Sequence, residues 1–522
     1  MRKNPWFIYS VLLLGIFVAL EANAFTTPAL PYISEYFGVS TANSGLLTLL
    51  SSGAAIALAP LFGRLGDQVG RKKVIIVGLV VFCLAQTMKV FTPVSWIYLI
   101  GALLQGIGYA LIFPNVFAYI PELFPEQKRG RAIGLFMLFS YIATGTGGAI
   151  AGALIDVWGW RSVYATSATV SAIGLVLISI FIPKSEKGKQ VALDYKGATL
   201  FMLLITLFVA MPLVLTNFGL MMLLASGIVF AVMLGIFIYM QKKTEHPVVD
   251  LQLLKLKGVY IPAILIAFQN FMMLSILMSL TFLTADNPNM TALQVGMITT
   301  VLFSSAAIFS PTIGVLLDRF NPVYLVFISL ITGVIGIGMY LGVHMGSSIM
   351  YILAVMVFVG ICSSFLNASL MKVILLFTPE DKKGVSTGTF SLFKDLGLPV
   401  GATLGLTIYG MSTSRGFEST IQAKAESLGL TGDQARQLID AQVTGSTSSE
   451  LQSTLAQLNI EVTELLAQAT AESVASGIHT LGVINLIIFI GLIIISLGLL
   501  KLKTAPVQRP IDVSIENIAN EV

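Results

Sequence analysis

Apolar residues in this chain come in long blocks, separated by short polar segments. A helix rising 1.5 Å per residue needs about 20 apolar residues to cross a hydrocarbon core. Blocks of that length recur near 7–30, 43–62, 74–92, 95–120, 132–155 and 162–183, then at 198–217 and 219–240. Six more follow near 260–284, 293–317, 323–343, 348–376, 387–411 and 478–500. The pattern predicts an all-α polytopic membrane protein with fourteen transmembrane helices.

Composition agrees. Of 522 residues, 56% are hydrophobic and 11% charged, and mean hydropathy is +0.89. No soluble domain of this size hides so much apolar surface. The net charge of +4 is therefore no sign of a nucleic-acid partner, and what matters is where the cations lie. With the amino terminus inside, 23 of the 30 Lys and Arg fall on the inner side, which predicts two cytoplasmic termini. Five fall outside (Lys89, Arg161, Arg415, Lys424 and Arg436), and Lys372 and Lys394 lie within helices. The first block runs from Phe7 to Leu20 and ends at Ala22-Asn23-Ala24, which also resembles a signal-peptide cleavage site. Apolar character resumes through Phe25 to Leu30, and a polytopic bundle needs its first helix. Cys83 and Cys362 sit inside apolar blocks and define no disulfide framework or metal spacing.

An internal repeat sets the architecture. Pro60, Gly63 and Asp67 return as Pro311, Gly314 and Asp318, and 125–130 (PEQKRG) returns as 379–384 (PEDKKG). Two loops repeated in the same order at nearly one offset imply two homologous six-helix halves. The expected division is 1–183 for the first half, 184–258 for two inserted helices with their linkers, 259–503 for the second half and 504–522 for a tail. Segment 413–477 breaks the pattern, with eight acidic and three basic residues, and span parity places it outside. Leu451, Leu455, Leu458, Val462, Leu465 and Leu466 recur at helical spacing after a capping sequence at 447–450, which predicts an amphipathic helix able to cover the outer vestibule, with a disordered acidic loop as the alternative.

The stretch from Gly63 to Lys73 carries the most specific signal. Glycines at 63, 66 and 70 permit tight turns, Asp67 accepts hydrogen bonds or pairs with Arg71, and the cations hold the loop to one side of the bilayer. Its pattern, G-x-x-x-D-x-x-G-R-K-K, resembles the helix 2–3 signature of the major facilitator superfamily. Fourteen spans with two between the halves resemble that superfamily's drug:proton antiporter branch. The resemblance implies a gate in which Gly63, Asp67, Gly70 and Arg71, with Asp318 and Arg319 in the second half, lock one conformation. Asp67 and Arg71 would face the start of the thirteenth span, near Gly384 to Gly388. Three features depart from the branch. The fourth-helix R-x-x-Q-G stands here as Ala102-Leu103-Leu104-Gln105-Gly106, without its arginine. The fifth-helix glycine motif, Gly147 to Gly152, lacks its proline, and the first-helix acid position is Ala22, with Glu21 one place earlier.

Ionisable groups inside a bilayer cost about 2.5–3.5 kcal/mol each on insertion scales, so they ask for a role. Glu21 and Asp395 are the proton-coupling candidates. Asn23, Gln105, Tyr109, Asn115, Gln269, Asn270, Asn367 and Lys394 are candidates for the substrate cavity, each weighed against a plain interhelical hydrogen bond. Lys394 and Asp395 diverge by about 100° on a helix and are expected to find other partners. Met272, Met273 and Met278 suit either an adaptable pocket or packing. Gly145 to Gly152 reads as a face for close helix packing, and Lys372 as a snorkelling anchor. His246, His344 and His479 form no metal motif.

The expected function is secondary active transport of a hydrophobic or amphipathic small organic compound across the cytoplasmic membrane by alternating access, as proton-coupled efflux. A proton symporter or importer of an amphipathic carboxylate or lipid-like substrate is the alternative within transport. A receptor or scaffold using 413–477 is the alternative from another class. The expected partners are the substrate, protons and the lipid bilayer, for a monomer with no nucleic acid, cofactor, metal or enzymatic activity.

Overall fold

The computed structural model describes residues 4–183, 194–244, 253–378, 383–444 and 462–500. The regular elements there are helical. The first group comprises α1 (Pro5–Tyr36), α2 (Leu46–Val69), α3 (Arg71–Val90), α4 (Ser95–Leu123), α5 (Glu126–Trp158) and α6 (Arg161–Phe181). A second group comprises α8 (Lys257–Ala285), α9 (Ala292–Arg319), α10 (Pro322–Leu341), α11 (Ile349–Phe377), α12 (Lys383–Ser427) and α14 (Val462–Leu500). Between them in sequence lies the 49-residue α7 (Tyr195–Lys243), and α13 (Gly432–Thr444) joins α12 to α14. Within the first group α3 packs on α4 and α6, and α1 on α5 and α6; within the second, α8 packs on α12 and α11, and α10 on α11 and α14.

Local chemistry sets the helix ends. Asn4 caps α1 ahead of Pro5 at its first position, and Asn321 does the same ahead of Pro322 for α10. Ser348 caps α11 through the N–H of Tyr351. Gly70 has φ +100°, a conformation only glycine adopts cheaply, so α3 begins at the residue after it.

Eleven helices among the described residues, with α7 counted once, are long and apolar enough to cross a membrane. The α7 element is not straight. Gly219 is non-helical (φ +79°) at its middle, and the two arms fold back on each other. Phe201 stacks on Phe237 at 5.4 Å, Phe208 meets Phe230 at 5.5 Å, and Gln241 donates to Asp194 at 3.1 Å. The two arms of this hairpin cover the apolar blocks read near 198–217 and 219–240. It leans on α2 and α12, where Phe201 and Phe237 meet Leu49 and Ala57.

Two helices outrun the lengths read from sequence. The 45-residue α12 and 39-residue α14 continue past membrane length, and their extensions build a small helical unit with α13. Phe417, Ile421, Leu438, Leu465 and Ala469 form its core, and Lys424 pairs with Glu472 at 3.4 Å. Leu451, Leu455 and Leu458 of the predicted apolar stripe lie outside the described residues. We call the end of the bundle bearing this unit the cap end, and the end bearing Gly70 the loop end.

Candidate functional site

At the cap end the two groups touch. The short 3-10 turn Thr41–Asn43 after α1 lies against α12, where Thr407 Oγ1 donates to the Ala42 carbonyl at 3.0 Å. A Cβ on Gly410 would fall 2.4 Å from Ala42 N, and one on Gly45 2.6 Å from Thr403 Cα, so backbones are in contact. The expected glycine face of α5 meets α9: a Cβ on Gly148 would lie 2.4 Å from the Gly296 carbonyl oxygen, and one on Gly152 2.3 Å from that of Ala292. Ala149 N–H donates to Thr300 Oγ1 at 2.8 Å. Asp156, in the last turn of α5, accepts from the N–H groups of Ala292 (2.7 Å) and Leu293 (2.9 Å) at the start of α9.

At the loop end the gate candidates pair within their own groups. Arg71 binds Asp67 at 2.7 Å, Glu122 of α4 at 2.9 Å and the Ala118 carbonyl. Gly63 lies against Pro114, and a Cβ on Gly66 would overlap the Asn115 side chain. Asp318 is largely exposed and sits 3.9 Å from Lys372 of α11, which also donates to the Leu317 carbonyl; Arg319, beside it, is exposed. Lys372 thus ties α11 to α9 rather than only anchoring to headgroups. Positions where a Cβ would stand on Gly314 and Gly388 have no heavy atom within 4 Å. Among the described side chains Arg71 is held by Asp67, Glu122 and Ala118, and the side chains at the very start of α12, where the expected gate contact falls, lie outside the described part of the structure.

Between the two ends, Tyr109 of α4 faces α12. Its ring stacks on Phe113 at 5.4 Å and 10°, and the Asp395 carboxylate is near enough to act on it electrostatically. Asp395 keeps 43% of its side chain accessible although Tyr109 belongs to the other group, so it borders a cleft between them. Lys394 Nζ lies 3.8 Å from Asp395 Oδ1. The expectation that these neighbours find other partners is corrected: the four-carbon lysine stem spans the 100° between them. Asn270 donates to the Lys394 carbonyl at 2.9 Å and holds α8 to α12 at this level.

Asn115 and Gln269 are packed away from solvent. Asn115 is fully buried and donates to the Phe62 (2.9 Å) and Leu111 (2.8 Å) carbonyls, clamping α2 to α4. Gln269 is fully buried and neither of its amide atoms has a hydrogen-bond partner. Asn367 is half-buried on α11. Met272, Met273 and Met278 are buried in the main hydrophobic core, to which both groups contribute. Glu21 and Asn23 lie midway along α1, and their side chains fall outside the described part of the structure.

Sequence reasoning missed several charged residues. The count of cations places Lys89 among the outer charges, yet it is 1% exposed, donates to Gln105 Oε1, and lies 4.9 Å from the ring centroids of both Tyr98 and Tyr164. The lysine stem points back along α3, as side chains in helices do, which carries the ammonium inward. Asp156 had a readable signal, because an acid in a helix's last turn opposes that helix's own dipole and asks for a partner elsewhere. Asp286, just past α8, lines a cavity of about 640 Å³ with Asn287, Met345, Ser347 and Thr470. Burial, and then the Glu35 carboxylate on α1, push it up to about 6. Among the described residues no three His, Cys, Asp or Glu gather as a metal ion requires.

Two helical groups joined at one end around a cleft define a polytopic transporter architecture. The family model of the Major Facilitator Superfamily matches residues 12–256 and 260–418, and the chain belongs to that family. It is 24% identical to multidrug resistance protein 3 of Bacillus subtilis (strain 168), over 80% of this chain and 82% of that protein. It is 23% identical to the multidrug resistance protein Stp of Mycobacterium tuberculosis (strain ATCC 25618 / H37Rv), over 79% of this chain and 76% of that protein. Among solved structures it is similar to a bacterial homologue of the human lysosomal transporter Spinster in an inward-facing, unoccupied conformation. The TM-score there is 0.67 at 14% identity, covering 95% of this chain and 98% of that one. The protein is a multi-pass membrane transporter of this superfamily and not an enzyme.

Proposed function

We propose that the protein moves hydrophobic or amphipathic small organic compounds out of the cell by alternating access, coupled to protons. The observation that carries this reading is the placement of Tyr109 and Asp395 on opposite sides of one cleft. A ring stack beside a carboxylate suits a lipophilic cation, through cation–π attraction and charge. Counting α1, α12 and both arms of α7 as spans gives fourteen crossings, with the loop end and both termini cytoplasmic and the protein monomeric. The structure is then cap-closed and open toward the cytoplasm. The names of the two multidrug resistance relatives support efflux as the direction. Lys394 beside Asp395 favours a second reading, symport of an amphipathic carboxylate, in which the ammonium takes the anion.

Flux into proteoliposomes under an imposed pH gradient, with lipophilic cations tested beside bile-acid-like anions, separates the two. Movement uphill toward the acidic side supports antiport, movement toward the alkaline side supports symport, and indifference to the gradient sinks both. Coupling is assigned to Glu21 and Asp395. Glu21→Gln is expected to abolish uphill transport while downhill exchange persists. Asp395→Asn should reduce flux at least tenfold at a stability cost below about 1 kcal/mol, because the Lys394 pair is partly solvated. Unchanged accumulation and pH dependence in both variants would remove this coupling scheme.

A further inference from the structure

The start of α9 is satisfied in two different ways. Its own cap supplies the first: Thr291 Oγ1 accepts from the Gln294 N–H at 3.3 Å, and the Gln294 side chain accepts from the Thr291 N–H at 2.9 Å. That capping box leaves the N–H groups of Ala292 and Leu293, and one carboxylate from the other helical group takes both. Asp156 therefore completes a helix to which it does not belong.

The contact can exist in one conformation only. Cap-end residues 148–156 of α5 and 292–300 of α9 touch backbone to backbone. Turning the groups so that the loop end closes must draw these segments apart and leave the two N–H groups to water. The carboxylate gains elsewhere nothing equivalent, since its own helix end carries negative partial charge.

We infer that Asp156 is a positioning residue of the transport cycle, a latch that holds the cap end closed by capping α9 across the two groups. The inference rests on the alternating-access reading above. It assigns to the cap end the kind of carboxylate-to-helix contact that the resemblance places at the loop end for Asp67.

The test is a pulsed EPR distance between spin labels at Ser40→Cys and Ser414→Cys, both exposed at the cap end on opposite groups. It uses the full-length protein in lipid nanodiscs, with Cys83 and Cys362 replaced by alanine. Losing a helix cap typically costs about 1 kcal/mol, so Asp156→Ala should raise the ratio of separated to closed cap ends about fivefold. Asp156→Asn should give a smaller shift, and Asp156→Glu should return the distribution toward that of the parent protein. Thr291→Ala removes a cap contained within one group, and should lower thermal stability without lengthening the distance. The latch is refuted if Asp156→Ala and Asp156→Asn fold with the parent distribution, or if Thr291→Ala produces the same shift. Flux measured alongside keeps the two claims apart. A parent protein that moves no substrate refutes transport, whereas unchanged distances in variants that do transport refute the latch.

Discussion

The glycine at 152 offers a quantitative test of rocking between the two groups. A Cβ there would stand 2.3 Å from the Ala292 carbonyl oxygen and 2.7 Å from Leu293 Cα, both backbone atoms that cannot rotate away. Ordinary contact begins near 3.4 Å, so Gly152→Ala forces α5 and α9 apart by about 1 Å. Overpacking of this kind costs about 1–3 kcal/mol. In a single rigid body that cost appears as lost stability. In a two-state transporter it falls only on the cap-closed state, and shifts the equilibrium toward cap-open by about 5–150-fold. The assay is the modification rate of Thr407→Cys by a membrane-impermeant maleimide applied at the cap end. Thr407 is 2% exposed beneath Ala42 and is uncovered only when the groups separate there. The rate is expected to rise at least fivefold in Gly152→Ala. Gly491→Ala, where nothing lies within 4 Å of the new carbon, should leave it unchanged. A Gly152→Ala protein with lowered melting temperature and an unaltered modification rate would refute rocking about this contact.

Two further outcomes follow from the same structure. Gly66→Ala should destabilise the first group by more than about 2 kcal/mol, because its Cβ would overlap the buried Asn115 amide that clamps α2 to α4; thermal unfolding in detergent reads this, and a melting temperature within a degree of the parent would contradict it. Acidifying the cap side should favour cap closure. Glu35 and Asp286 come from opposite groups, and burial first and then the Glu35 carboxylate raise the Asp286 carboxyl to about 6, so closure is easiest below pH 6 and opposed above it by the cost of burying and facing a second charge. Asp286 is open to its cavity, so solvent screening keeps the change below about threefold. Glu35→Gln should move the midpoint of the Thr407→Cys rate against pH downward, and an unmoved midpoint would show that the two carboxylates do not interact.

The fold was legible because a membrane removes choices. Backbone groups in hydrocarbon must bond within their own helix, so long apolar blocks can hardly be anything else. The Gly219 break was legible for the same reason, as a gap between two blocks. The glycine face of α5 could be read because small residues at helical spacing signal close approach. What stayed hidden was pairing across elements. Lys89 looks like an ordinary interfacial lysine until Tyr98 and Tyr164, from two other helices, are seen to enclose it. Asn115 looks like a cavity residue until its two carbonyl partners are known. The lengths of α12 and α14 were underestimated because polar sequence beyond the bilayer carries no apolar block, although a helix once nucleated extends cheaply.

Under the proposed proton-coupled cycle, which buried or paired charges can respond to it follows from where their partners sit. A group whose neighbours all belong to one helical bundle keeps the same surroundings when the bundles rotate. Lys89 is of this kind: Gln105 and Tyr98 lie on α4 and Tyr164 on α6, so its cage travels with it. Arg71, held by Asp67, Glu122 and Ala118, is likewise internal in this conformation and becomes responsive only if the loop end closes upon it. Asp395, Asp156 and Asp286 differ, because each faces a group from the opposite bundle: Tyr109, the α9 N–H pair and Glu35. The proposed rotation would alter the hydration and the electrostatic neighbours of all three. The three also lie at different levels, Asp395 within the cleft and the other two at the cap end. On the proposed cycle Asp395 is therefore the one of the three placed beside the substrate path, while Asp156 and Asp286 bear on which end is open. This division predicts that Lys89→Met, which removes a buried cation without touching the cleft, changes thermal stability but leaves the pH profile of transport in place. A shifted profile in that variant would mean that charge inside one bundle does reach the coupling site.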